Sequence, residues 1–149
     1  MKISVIERAD GGISFAPVVR QQRPDETDAE FAHACSHRLL AAFPGSTWLG
    51  FSDSSDLPPS RAFRNAWARN GSGVAVDMGK ARAIKMDRIR AERDRRLAET
   101  DKDVARLDGA AIPQPLKAKR QALRDIPQTA NLDAIADPAA LEAFEPVWP

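Results

Sequence analysis

The sequence predicts an α+β protein: an N-terminal β-hairpin and small mixed unit with one capped helix, followed by a long Arg-rich helix and short C-terminal helices. Three observations carry this. Runs rich in β-branched and aromatic residues crowd the early chain, at residues 2–7, 13–19 and 46–51. A helix-start signal, Thr27-Asp28-Ala29-Glu30, interrupts them. From Asp77 onward GKARAIKMDRIRAERDRRLAETDKDVARL holds no Pro and few β-branched residues. The expected division is a small α+β unit over residues 1–77 and a helical region over 78–149.

The elements follow in order. Residues 2–7 and 13–19 flank Ala9, Asp10, Gly11 and Gly12, turn formers that predict a hairpin, and Pro17 places the second strand at an edge or ends it early. At Thr27 the hydroxyl and the Glu30 carboxylate can satisfy opposite orphan amides, so a helix starts there. On a helical wheel Phe31, Cys35, Leu39, Ala42 and Phe43 share one face, which predicts a buried thiol, and Pro44-Gly45 ends the helix. STWLGF (46–51) reads as a short strand of alternating large residues, followed by the turn-rich SDSSDLPPS. Two readings of 60–78 stay open. Ser60 can cap a short helix through RAFRNAW, while Asn70-Gly71 marks a tight turn before GVAVDM. A long helix is expected from about residue 78 to about residue 100 or beyond. Gly109 and Pro113 break it, PLKAKRQALRD forms another, and Asp137-Pro138 caps a last one.

Composition narrows the function. Of 149 residues 43% are hydrophobic, but 26 are Ala, so larger apolar side chains for a core are scarce. With 22 basic and 21 acidic residues the net charge of +1 creates no global field for nucleic acid or an anionic membrane. A lone Cys35 excludes an internal disulfide. No apolar run approaches the roughly 18 residues that span a bilayer, and MKISVIERAD lacks a signal-peptide core. A soluble protein of a reducing cytoplasm, without membrane contact, is expected.

Candidate chemistry is sparse. His33 and His37 share a helix face with Glu30 one turn back, the one candidate metal set. It lacks the glutamate of HExxH, and two imidazoles with one exposed carboxylate read better as a solvated polar face, so no metal and no cofactor is expected. Both histidines point away from Cys35, which leaves that thiol without a base. Asp53 and Asp56 sit among serines of a turn, and NGSG lacks the GKS/T of a phosphate loop. No catalytic constellation results, and the expected protein is not an enzyme.

The long helix is the strongest feature. Lys80, Arg82, Lys85, Arg88, Arg90, Arg93, Arg95 and Arg96 against Asp87, Glu92 and Asp94 give a local net of +5. These cations surround the helix and no aromatics are interleaved for base stacking, which argues against nucleic acid. Met78, Met86, Ile89, Leu97 and Val104 form a narrow apolar stripe that Arg82, Arg93 and Arg96 interrupt. The stripe is expected to be completed by the N-terminal part folding back or by another chain, which includes a second copy. Trp48 and Trp67 read as core or anchors, and Trp148 as part of a contact surface.

IRAERDRRLAETD (89–101), KRQALRDIP (119–127) and the terminal VWP resemble the C-terminal module of bacteriophage tail assembly chaperone proteins. Arg90, Arg93, Leu97, Asp101, Arg120, Gln121, Leu123, Arg124, Asp125 and Pro127 carry the resemblance, and Lys102 and Lys119 stand where that module has aromatics. Upstream, PPSRAFRNAW and VDMGKARAI (58–84) resemble segments of phage and prophage proteins, so the likeness covers roughly the last 90 residues. It implies a non-enzymatic tail or tail-fibre assembly factor that binds a virion structural protein in the bacterial host cytoplasm during phage assembly. The stripe and the resemblance together nominate Met86, Ile89, Arg90, Arg93, Leu97, Arg120, Leu123, Arg124 and Trp148 as the partner-binding residues. Two alternatives stand beside it: an accessory protein that stays in the virion at the tail, tail tip or fibre attachment, and a nucleic-acid-binding protein that uses the Arg-rich helix.

Overall fold

Strand β1 (Lys2–Glu7) lies between β2 (Ile13–Pro17) and β3 (Thr47–Asp53) in an antiparallel sheet of order β2-β1-β3. The computed structural model describes residues 1–71 and 73–149, and the chain divides into two units, Met1–Asp77 and Met78–Pro149. Four consecutive β1 residues, Ile3, Ser4, Val5 and Ile6, are buried, so both faces of this central strand are covered. Pro17 ends β2 on an edge, where its missing N–H costs no ladder bond. Asp10 Oδ1 accepts from Gly12 N at 2.8 Å and closes the hairpin turn.

On one face Ile3, Val5 and Ile13 pack with Trp67, and Phe15, Leu49, Leu57, Val74 and Val76 surround them. Trp67 comes from a second hairpin, β4 (Trp67–Asn70) and β5 (Gly73–Val76), paired antiparallel from Trp67 opposite Val76 to Asn70 opposite Gly73. The hairpin reading of 60–78 therefore holds for its second half. Ser60 does accept from Ala62 N, at 3.1 Å, but only a 3-10 turn at Arg64–Ala66 forms where the longer helix was the other option.

The other face carries α1 (Asp28–Ala42), which packs on all three strands. Its capping box is present as expected: Glu30 N donates to Thr27 Oγ1, and Thr27 N donates to Glu30 Oε2 at 2.9 Å. Phe31 and Ser36 are the buried residues of α1, whereas Cys35 is half-buried and Ala42 exposed, so the inward face is rotated from the one expected. The reason lies in the ring of Phe31, which packs against Phe51 with centroids 5.4 Å apart and sets the helix azimuth; Ser36 then turns inward with its hydroxyl donated to Ala32 C=O at 2.8 Å.

β3 departs from the expected alternation. Val5 stands opposite Gly50 but Ile6 opposite Trp48, so Leu49 is an inserted residue and Gly50 takes φ +112. This bulge brings Trp48 and Phe51, three residues apart, to one face, where their rings meet edge-on at 5.3 Å. Trp48 Nε1 donates to the buried Ser4 hydroxyl at 3.0 Å, and Lys2 Nζ sits 4.1 Å from the Phe51 ring centre.

The second unit is helical. α2 runs over Met78–Ala105, α3 over Gln114–Thr129 and α4 over Pro138–Ala143. Asp108 and Gly109, with φ of 45 and 84, make the turn that ends α2. α3 continues past Pro127, which was expected to lie beyond its end; Pro127 has no N–H to give the Leu123 carbonyl, yet the turn resumes after it with Ala130 N donating to Ile126 C=O at 2.9 Å. Asp137 caps α4 by accepting from Ala140 N at 2.8 Å. No described helix is long and apolar enough to cross a membrane.

Candidate partner surface

Ala81, Lys85 and Ile89 are buried on α2 at steps of four, and Thr100 is buried three turns further on. α3 and α4 pack against this side of the unit, with Leu123 and Ile126 buried on α3, Leu132 in the following connector and Leu141 on α4. The buried side of α2 is thus covered from within its own unit by α3 and α4. Of the predicted stripe, Ile89 alone is buried; Met78, Met86, Leu97 and Val104 are half-buried. Lys85 takes a core position, 6% exposed, with its ammonium donating to Glu142 C=O at 3.0 Å and to Glu145 Oε1 at 3.4 Å.

This placement sorts the predicted partner-binding residues. Ile89 and Leu123 are 3% and 0% exposed, so they hold the unit together and offer no surface to a partner. Arg90 and Arg124 are exposed, while Met86, Arg93, Leu97, Arg120 and Trp148 are half-buried. Met86 borders a groove of about 480 Å³ beside Gly79, Ala83 and Leu132. Trp148 is held by its own unit, with the Arg96 guanidinium 4.5 Å from its ring centre.

The +5 of the long helix is largely answered at short range. Arg90 pairs with Asp87 at 3.1 Å and Arg93 with Asp94 at 2.8 Å. Glu92 accepts from both Arg95 and Arg96 at 2.7 Å, and these two guanidinium groups hold its carboxyl down at a pKa of about 2. Arg82 is turned onto the connector, where Nη2 donates to Ile135 C=O at 2.8 Å. Arg120 Nη1 donates to Thr100 Oγ1 and to Asp101 Oδ1, each at 2.6 Å. Sequence reasoning missed the inward role of Lys85, although its position four residues from both Ala81 and Ile89 marks it.

In the first unit the metal set does not assemble. The Glu30 carboxylate is spent on Thr27, whose N–H and hydroxyl hold its pKa below the ordinary value. The His33 and His37 rings stack at 5.7 Å, and His37 Nδ1 donates to Ala34 C=O at 3.1 Å. Among the described residues no group of three or more His, Cys, Asp and Glu side chains is arranged to hold a metal ion.

No curated protein and no solved structure matches the chain. Residues 86–149 match the family model described as phage tail assembly chaperone protein. The span opens inside α2 and takes in α3, α4 and Trp148, but not the upstream segments at 58–84. Over these residues the chain is similar to the phage tail assembly chaperone family that RQALRD and VWP pointed to, and the similarity supports a role in phage tail assembly.

Proposed function

We propose that the helical unit acts in phage tail or tail-fibre assembly by binding a virion structural protein in the host cytoplasm, and that it carries out no reaction. The observation that carries this reading is the family match over residues 86–149, a span that coincides with most of one folded unit. The accessible members of the predicted set, Met86, Arg90, Arg93, Leu97, Arg120, Arg124 and Trp148, form the contact surface, with Ile89 and Leu123 as the scaffold beneath. Cationic and thioether groups over a closed core suit a reversible interface, whose fixed charges steer encounter without demanding that the core open.

The test is capture of the tagged full-length chain from cells that are assembling the phage, followed by mass spectrometry. Enrichment of a tail or tail-fibre structural protein is expected; its absence overturns the reading. Purified particles separate the two assembly roles. An assembly factor is missing from them, whereas a protein that stays at the tail tip or fibre attachment is present in fixed stoichiometry.

A further inference from the structure

We propose that the outward face of α3 docks an acidic helical segment of the partner, one with carboxylates two turns apart. This rests on the reading above and names the chemistry of the segment bound. Gln114, Lys117, Gln121, Arg124 and Gln128 follow one another at alternating steps of three and four, the spacing of a helix-packing seam, and all five are exposed. They lie away from Leu123 and Ile126, which face the core. Lys117 and Arg124 are seven residues apart, about 10.5 Å along the axis, so a carboxylate pair at the same interval on a neighbouring helix meets both.

Charge marks this face. Arg90, Arg93, Arg95 and Arg96 on α2 each have a carboxylate partner within the unit. Lys117 and Arg124, like Lys102 and Lys119, have no ion pair among the described residues, but Lys117 and Arg124 together line one groove of about 440 Å³, and no Asp or Glu lines it. Ile112 and Ala118 add apolar surface to that groove, and the amides of Gln114 and Gln121 supply both donors and acceptors. Gln121 is already oriented by donating to Asp125 at 2.8 Å. No aromatic lines the groove, so it offers no stacking platform for bases, and a protein helix fits better than a nucleic acid.

The probe is a fluorescent Ala/Gln helical peptide with Glu at every seventh position, titrated with the full-length chain at low salt. A peptide of the same composition with its Glu residues adjacent serves as comparison. Binding about fivefold tighter for the seven-residue spacing is expected, lost in Lys117→Glu/Arg124→Glu and weakened in the milder Lys117→Gln/Arg124→Gln, which keeps the helix soluble and folded. Equal binding of the two peptides, no binding of either, or tighter binding of duplex DNA overturns the proposal. So does capture of a tail protein that survives Lys117→Glu/Arg124→Glu undiminished; that result leaves the broader assembly role standing, whereas failure of the wild-type chain to capture any tail protein removes the role itself.

Discussion

Arg120 on α3 joins two neighbouring residues of α2 through one nitrogen, since its Nη1 lies 2.6 Å from both Thr100 Oγ1 and Asp101 Oδ1. Asp101 and Arg120 belong to the pattern that resembles the phage family, so part of that pattern is a tie between helices. The two contacts differ in weight. Thr100 is buried and its hydroxyl also donates to Leu97 C=O, whereas the Asp101 side chain is 65% exposed. Arg120→Ala is expected to cost about 1–2 kcal/mol by stripping a charge-assisted bond from a buried hydroxyl. Asp101→Ala should cost less than about 1 kcal/mol because water screens the pair. Urea unfolding of the two variants checks the order, and equal losses would contradict it.

Lys85 offers a sharper contrast, because its stem fills core space while its ammonium answers the Glu142 carbonyl near the end of α4. Lys85→Met keeps the volume and drops the charge, and a loss of about 1 kcal/mol is expected from the carbonyl left without its donor. Lys85→Glu sets a carboxylate beside that carbonyl and Glu145, and about 3–5 kcal/mol should be lost. Denaturant midpoints distinguish these outcomes. Similar stability of the two variants would mean that Lys85 is held by packing alone.

How far the sequence could be read follows from the range of the forces involved. The capping box at Thr27, the break at Gly109 and the cap at Asp137 depend on neighbours within four residues and were legible. The bulge at Leu49 was not, since it is defined against β1, more than forty residues away. The arginines of the partner surface were visible as residues, but a long side chain on a helix can reach a carboxylate in either direction. Their pairing, and hence the contrast between these arginines and the unpaired Lys117 and Arg124, follows from where each side chain turns, which spacing alone does not fix. Ile89 and Leu123 look like docking groups in the sequence because an apolar stripe reads the same whether a neighbouring helix or a partner covers it; in the structure both are buried within the helical unit.

Acid should loosen the charged lattice on α2. Glu92 ionises at about 2 instead of its ordinary 4.5 because Arg95 and Arg96 donate to it, and Glu26 in the first unit is likewise held at about 2 by Arg20. A folded-state pKa below the unfolded value means stability that is fully present above the unfolded value and is lost as the pH falls through the folded one. The window is therefore about pH 4.5 down to about pH 2. Thermal unfolding followed from about pH 6 to about pH 2 should show the melting temperature falling across that window. Glu92→Gln should flatten part of the fall, and an unchanged slope in this variant would show that the pair does not couple to folding.

Gly50 tests the bulge that gathers Trp48, Phe51 and Ser4 on one face. A methyl group added at Gly50 meets no atom within 4 Å, so space does not oppose substitution. Its φ of +112 does, because side chains avoid that region. Gly50→Ala is expected to cost about 1–3 kcal/mol through the backbone alone. If the strain is relieved by slipping β3 into regular register, Trp48 would turn to the opposite face and its Nε1 would leave Ser4. The intrinsic fluorescence of the folded variant reports which occurs. A destabilised protein with an unchanged emission spectrum means the bulge persists under strain, a shifted spectrum means the register has moved, and stability equal to the parent would show that the backbone at residue 50 does not require glycine.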